Sequence, residues 1–166
     1  MQLEDILTLE RTASHIKAGS KKRVLEIIGD LVMRDTRKLN ATEVFESLIA
    51  RERLGSTGIG YGVAIPHGRI KDNDQVIGAL IHLDEPIEFD AVDDQPVDLL
   101  FALLVPEHAV EEHLQVLAAL AEMFSDAELR EQLRGAVDNA SLYELARIHY
   151  QSAQTHGQDS HRPQSA

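Results

Sequence analysis

Two apolar segments place the strongest constraint on what this chain can fold into. Residues 76–83 and 97–105 are almost continuously apolar, and a turn-rich acidic stretch separates them. Strands of this kind are normally buried on both faces, so the sheet that contains them needs helices above and below it. Helical periodicity is found on both sides of the pair along the chain, over residues 20–38, 41–53 and 107–124. We therefore predict an α/β fold, a single-domain sandwich with a mixed β-sheet flanked by helices on both faces.

Polar residues with capping ability mark the predicted helix starts. Ser20 is the candidate cap of the first helix, and Asn40 and Thr42 are possible caps of the second. Two Ser-x-x-Glu sequences, which begin at Ser125 and Ser141, have the pattern of capping boxes and predict two further short helices.

The length of 166 residues is that of one domain. We assign it to residues 1–150, because residues 151–166 contain no Val, Ile, Leu, Met or aromatic side chain and are predicted to form a disordered polar tail. No apolar run approaches the roughly 20 residues that a bilayer requires, and the amino terminus has no secretory pattern. We expect a cytoplasmic protein without membrane insertion.

Charge and composition exclude several function classes. Lys and Arg number 16 against 28 Asp and Glu, for a net charge of -12, which makes free nucleic acid an unfavourable partner. Residues 84–144 hold 2 basic and 16 acidic side chains. We interpret this segment as a solvated surface, which could also steer a basic partner protein toward a site. The absence of cysteine excludes disulfides and thiolate chemistry. Neither a P-loop nor a zinc-helix histidine spacing is present, so no cofactor and no metal are expected.

One of the eight histidines, His67, has an unusual setting. It follows the short predicted strand 63–65 and stands between Pro66, which fixes the backbone, and Gly68, whose missing Cβ would let a tetrahedral group approach main-chain N–H groups. This setting suits an imidazole that accepts a phosphoryl group, although turns often contain the same three residue types. A chain without a nucleotide site would have to receive that group from another protein.

The residues around His67 carry a family resemblance. The stretch 51–68 resembles the active-site signature of the fructose/mannitol class of IIA proteins in the bacterial phosphoenolpyruvate-dependent phosphotransferase system. Residues 112–117 resemble that family's second histidine segment, whereas residues 20–23 and 89–106 resemble its nitrogen-regulatory branch. The similarity covers roughly residues 3–150.

The resemblance implies a role for three side chains. His67 matches the phosphorylated histidine, His113 the second histidine that hydrogen-bonds the phosphoryl group, and Arg51 the arginine that helps to neutralise it. Arg53 and Arg69 lie near in sequence and could serve instead of Arg51. The implied phosphoryl donor is an HPr-like phosphocarrier of the nitrogen branch, and the implied readers of the phosphorylation state are regulatory target proteins.

Other functions remain open from the sequence. The first alternative is a standalone IIA component for fructose or mannitol transport, which differs in what receives the phosphoryl group. A pure binding module with an incidental His67 is the second, and a metal-dependent hydrolase is disfavoured by the missing ligand spacings. For a regulatory protein, we expect partners to contact an apolar rim around His67 that includes Ile59, Tyr61 and Ile70.

Overall fold

The computed structural model describes residues 1–36 and 38–160. Two short 3-10 helices, Leu3–Asp5 and Leu9–Arg11, open the chain. The remaining elements are β1 (Thr12–Ile16), α1 (Lys21–Val32), α2 (Ala41–Leu54), β2 (Gly58–Gly60), β3 (Val63–Ala64), β4 (His67–Ile70), β5 (Ile77–Ile87), β6 (Val97–Pro106), α3 (Val110–Phe124), α4 (Ala127–Arg134) and α5 (Asn139–Ser160).

Among the described residues, six strands form one mixed sheet, and five of them follow the order β1-β5-β6-β3-β2. The remaining strand, β4, pairs with the later part of β6, beyond the part that pairs with β3. The two apolar segments are β5 and β6, an antiparallel pair at the centre of the sheet. Strands β3 and β4 both run parallel to β6, and β1 runs parallel to β5. The predicted mixed sheet is therefore confirmed.

Each face of the sheet contacts a separate hydrophobic core. From Leu99 to Val105, successive side chains of β6 alternate between the two cores, as the pleat of a strand requires. Helices α1 and α2 cover one face through Val24, Leu25, Ile28, Val44 and Leu48. Helices α3, α4 and α5 cover the other face through Val116, Leu120, Leu129, Leu133 and Leu142. This arrangement confirms the predicted sandwich.

The helix starts are partly as predicted. Ser20 and Asn40 are confirmed as the N-caps of α1 and α2, since both side chains accept backbone N–H bonds. The other candidate, Thr42, lies inside α2 and donates its N–H to Asn40. Both predicted capping boxes are wrong. Asp126, not Ser125, caps α4 and accepts from the Glu128 N–H at 2.9 Å. Ser141 lies inside α5 and donates its N–H to Asp138. An aspartate beside or before each serine offers a carboxylate, which is at least as good a cap as a hydroxyl.

Two strands were missed by the sequence prediction. Pro66 predicts the end of β3, but pairing with β6 resumes at once because the Pro66 carbonyl accepts the Leu103 N–H at 2.8 Å. Proline lacks only the donor, so its carbonyl can still extend a ladder. His67 consequently lies at the start of β4, whereas the sequence predicts it at the end of the strand 63–65. The other missed strand, β1, is a short edge strand with polar residues and no clear apolar pattern.

The carboxyl-terminal helix crosses the predicted domain boundary. Residue 150 falls inside α5, and residues 161–166 lie outside the described residues, so disorder of the tail stays a prediction. Within the described part of the chain, no helix combines the length and apolar character needed to cross a bilayer.

Candidate functional site

Two histidines that are distant in sequence meet at one end of the sheet. His67 is the first residue of β4, in register with Leu103 of β6. His113 lies in the first turn of α3, the helix that follows β6. Their ring centroids are 5.3 Å apart and their planes are nearly perpendicular, at 80°. The structure therefore brings the two predicted site histidines into direct contact.

The backbone orients the His67 ring. Its Nδ1 lies 2.9 Å from the carbonyl oxygen of Ile65. A carbonyl only accepts hydrogen bonds, so Nδ1 carries the proton and the neutral ring presents an unprotonated Nε2. Burial lowers the pKa of His67 from its ordinary value of 6.5, and the charge of Arg51 lowers it further, against opposing effects of the Ile65 carbonyl and Glu52. The ring is thus held neutral near pH 7, with one nitrogen free to attack.

The electrostatic setting of His113 is similar. Burial is the main cause that lowers its pKa, followed by the charges of His67 and Arg69. A neutral His113 has one N–H to donate and one nitrogen to accept, which allows it to bind an oxygen atom placed between the two rings.

The three candidate arginines differ in what they reach. Arg51, in the last turn of α2, donates from Nη1 to the Gly55 carbonyl at 2.8 Å, and its charge acts on His67. Arg69 is exposed two residues after His67 on β4, and its charge acts on His113. Arg53 is exposed and does not contribute to the lowered pKa of His67 or of His113. Arg51 and Arg69 therefore supply the positive charge around the histidine pair.

Gly68 has a different role from the one expected. A Cβ at this position would lie 2.1 Å from Ser47 Oγ and 3.0 Å from the Ser47 backbone carbonyl carbon. The Ser47 hydroxyl also donates to the Arg69 carbonyl at 2.8 Å. The space beside Gly68 is therefore filled by α2 and is not open to a ligand, so the expected approach of a tetrahedral group there is wrong. The missing Cβ instead lets α2 pack closely against β4.

The expected apolar rim is not formed by the three predicted residues. Tyr61 is 65% exposed and Ile59 37%, but Tyr61 lies in the turn between β2 and β3, beside the start of β6, with its ring against Arg130 of α4. Ile70 is 4% exposed and belongs to the core, so its assignment to the rim is wrong. Leu54 at the end of α2 and Leu114 beside His113 are exposed at 84% and 61%. The alternation along β4 explains the error, since His67 and Arg69 face outward while Ile70 faces α2.

A buried polar cluster that the sequence does not predict lies behind the site. Glu52 is 6% exposed and accepts hydrogen bonds from Thr57 and Lys21. Glu52 belongs to the motif around His67, but nothing in the sequence distinguishes it from the other acidic residues. As for metals, the described residues contain no group of three or more His, Cys, Asp or Glu side chains that could hold an ion.

Comparisons with known proteins agree with this fold. Residues 5–147 match the family model described as "Phosphoenolpyruvate-dependent sugar phosphotransferase system, EIIA 2". A nitrogen regulatory protein from Pseudomonas aeruginosa is 50% identical over 145 residues, which cover 87% of this chain and 94% of that protein. The crystal structure of nitrogen regulatory protein IIA-Ntr from Neisseria meningitidis superposes with a TM-score of 0.81 at 46% identity, covering 86% of this chain and 97% of that one.

A more distant structure shares the fold alone. The crystal structure of IIA mannitol from Escherichia coli superposes with a TM-score of 0.69 at 22% identity, covering 84% of this chain and 97% of that one. The family model spans most of the chain, and the close relatives match over nearly their full length. The chain therefore belongs to the EIIA type 2 family of the phosphoenolpyruvate-dependent sugar phosphotransferase system.

Proposed function

We propose that this chain is a regulatory IIA protein of the nitrogen phosphotransferase branch, phosphorylated on Nε2 of His67 by an HPr-like phosphocarrier. The observation that carries the proposal is the orientation of the His67 ring. Its proton is held on Nδ1 by the Ile65 carbonyl, so Nε2 is the nucleophilic atom beside His113. Close relatives named nitrogen regulatory protein support regulation over the transport alternative.

The transfer step balances without a catalytic base on this chain. The lone pair of His67 Nε2 forms the new N–P bond, while the bond between phosphorus and the carrier's phosphorylated side chain breaks and its electron pair returns to the carrier. No proton has to leave Nε2, because the ring proton stays on Nδ1 with the Ile65 carbonyl. His113 donates a hydrogen bond to a phosphoryl oxygen, and Arg51 offsets the charge on the oxygens. The step is therefore one of positioning and electrostatic stabilisation.

The phosphoryl group changes what a partner meets at this surface. It adds about -1.5 to -2 charges close to His113 and to its exposed apolar neighbour Leu114. An interface that buries this surface would also bury an unpaired dianion, which is costly. We infer that regulatory targets packing over His67 bind the unmodified form, and that both the carrier and the targets meet the chain in the cytoplasm.

The test begins with the chain incubated with phosphoenolpyruvate, enzyme I and either HPr or its nitrogen-branch counterpart. Mass spectrometry should find one acid-labile, base-stable phosphate, which is absent from His67→Ala. His113→Ala should fold and accept the phosphoryl group more slowly. Undiminished incorporation in His67→Ala would overturn the assignment.

A pull-down then separates regulation from transport. A partner should be retained by the unmodified chain and by His67→Ala, and released by phosphorylation or by His67→Asp. Identical partners for every form, together with rapid transfer to a sugar-specific IIB domain, would support the transport alternative.

A further inference from the structure

A buried carboxylate with no part in the transfer step lies directly behind the site. Glu52 follows Arg51 in the last turn of α2 and is 6% exposed. Its oxygens accept from the Thr57 N–H at 3.1 and 3.2 Å, and from the Thr57 hydroxyl at 2.6 Å. Lys21 Nζ donates to it at 2.9 Å. A buried glutamate is costly unless it is paired and hydrogen-bonded, and here both conditions are met.

Hydrogen bonds continue from this carboxylate to the His67 ring. Thr57, held by Glu52 through its N–H and hydroxyl, accepts the Ile65 N–H on its own carbonyl at 3.0 Å. Ile65 in turn accepts the His67 Nδ1–H on its carbonyl at 2.9 Å. Each residue in this series is held through a donor group and positions the next residue through its carbonyl, so a displacement of Thr57 would displace Ile65. The position of the carbonyl that orients the imidazole therefore depends on Glu52.

The same loop also holds the arginine of the site. Gly55 accepts a hydrogen bond from Arg51 Nη1 at 2.8 Å, and its N–H donates to the Glu52 backbone carbonyl at 3.2 Å. Ser56 donates from Oγ to the Phe89 carbonyl at 2.7 Å, which ties the loop to the chain before β6. Residues 55–57 thus contact both Arg51 and, through Ile65, the histidine.

The counter-ion of Glu52 comes from another helix. Lys21 is the first residue of α1, with its Nζ 3.3 Å from Asp90 Oδ2 and 4.7 Å from the centroid of the Phe89 ring. Because Lys21 is mostly buried, its ammonium group neutralises Glu52 with little screening by water.

We propose that Glu52, with Lys21 as its counter-ion, is a positioning residue for phosphoryl acceptance by His67. It holds the loop 55–57 so that the Ile65 carbonyl keeps the proton on Nδ1, leaving Nε2 free, and so that Arg51 stays beside the ring. Glu52 itself touches neither the phosphoryl group nor the imidazole. The inference rests on the proposed phosphorylation of His67.

The first experiment reads the tautomer of His67 and needs no phosphoryl donor. In the wild-type protein labelled with ¹⁵N-histidine, the NMR signals of His67 should show a protonated Nδ1 and an unprotonated Nε2. Glu52→Ala should shift its ring nitrogens toward a mixture of tautomers. Glu52→Gln keeps an oxygen that can accept the Thr57 N–H and should retain the wild-type signature. Glu46→Gln removes the same charge from an exposed position on the same helix and should change nothing.

The second experiment measures the rate of phosphoryl transfer from the phosphorylated carrier. Glu52→Ala should be about 10- to 100-fold slower, the range expected when a reacting group is misplaced by about 1 Å. Thr57→Val should be slower than Thr57→Ser, because only serine keeps the hydroxyl bonded to Glu52. If Glu52→Ala does not fold, the Thr57 pair carries the same comparison.

Two results would overturn the inference. One is a folded Glu52→Ala with the wild-type rate and the wild-type ¹⁵N signature, and the other is slower transfer with an unchanged signature. If the wild-type chain is not phosphorylated on His67, the proposed function fails, but the tautomer comparison still decides the role of Glu52.

Discussion

Replacing Gly68 with alanine tests whether the packing of α2 on β4 sets the geometry of the site. The new methyl group would lie 2.1 Å from Ser47 Oγ, 3.1 Å from its Cβ and 3.0 Å from its backbone carbonyl carbon. The hydroxyl can rotate away, but the last two contacts involve the helix itself. We therefore expect α2 to move away from β4, which also separates Arg51 from His67.

The size of the effect follows from these contacts. Overpacking by one methyl group costs about 1–3 kcal/mol, and rotation of the hydroxyl also loses its bond to the Arg69 carbonyl, worth about 1 kcal/mol. The free energy of unfolding should fall by about 2–4 kcal/mol. For a chain of this length, that is a decrease in Tm of roughly 4–16 °C. Phosphoryl transfer to His67 should slow at temperatures where the variant is fully folded.

Thermal and urea denaturation followed by circular dichroism would measure the change. Gly19→Ala is the matched control, since a Cβ there has nothing within 4 Å. In a Ser47→Ala background the Gly68→Ala change should cost less, because the nearest contact is gone while the contacts to the helix backbone remain. A Gly68→Ala protein with the stability and transfer rate of Gly19→Ala would refute the packing argument.

Three further predictions concern the site and its surroundings. NMR titration should give His67 and His113 pKa values below 6.5, because burial disfavours the charged rings. The rate of phosphoryl acceptance should accordingly stay constant at higher pH and fall as the pH drops through the His67 pKa, and a rate that rises on acidification would contradict this. Arg51→Gln should raise the His67 pKa, because the charge of Arg51 lowers it. It should also slow phosphoryl transfer roughly a hundredfold in stopped-flow or quench assays, because charge stabilisation is lost. An unchanged pKa together with an unchanged rate would exclude Arg51 from the site. Arg134→Ala should lower the free energy of unfolding in urea by about 1–3 kcal/mol, because two guanidinium nitrogens bind Asp98 at 2.9 to 3.1 Å, whereas no loss would show that solvent replaces them.

The sheet and the helices could be predicted because their signals are local or periodic. Apolar runs identified β5 and β6, and helical periodicity identified the helices that cover them. The pairing of His67 with His113 came from family resemblance and not from the residues themselves. No local pattern predicts that the rings of His67 in a strand and of His113 at a helix start have centroids 5.3 Å apart.

The errors share a physical cause, which is contact between elements that are distant along the chain. Proline ends many strands, but here the Pro66 carbonyl accepts a hydrogen bond from β6 and the sheet continues. The sequence predicts that Gly68 leaves room for a ligand, whereas the space beside it is filled by Ser47 of α2. The burial of Glu52 is not predicted from the sequence because glutamates are mostly exposed. That burial depends on hydrogen bonds from Thr57 and from Lys21 of another helix.

The arrangement of the site links both layers of the sandwich to one imidazole. Arg51 belongs to α2, which covers one face of the sheet, while His113 belongs to α3, which covers the other. His67 lies on the strand between them, so a phosphoryl group on Nε2 would contact one side chain from each layer. Any change that shifts either helix relative to β4 should therefore alter phosphoryl acceptance without touching the ring. Conversely, a partner that packs on the exposed Leu114, next to His113, would lie beside the atom proposed to be phosphorylated, and its binding would depend on the charge there.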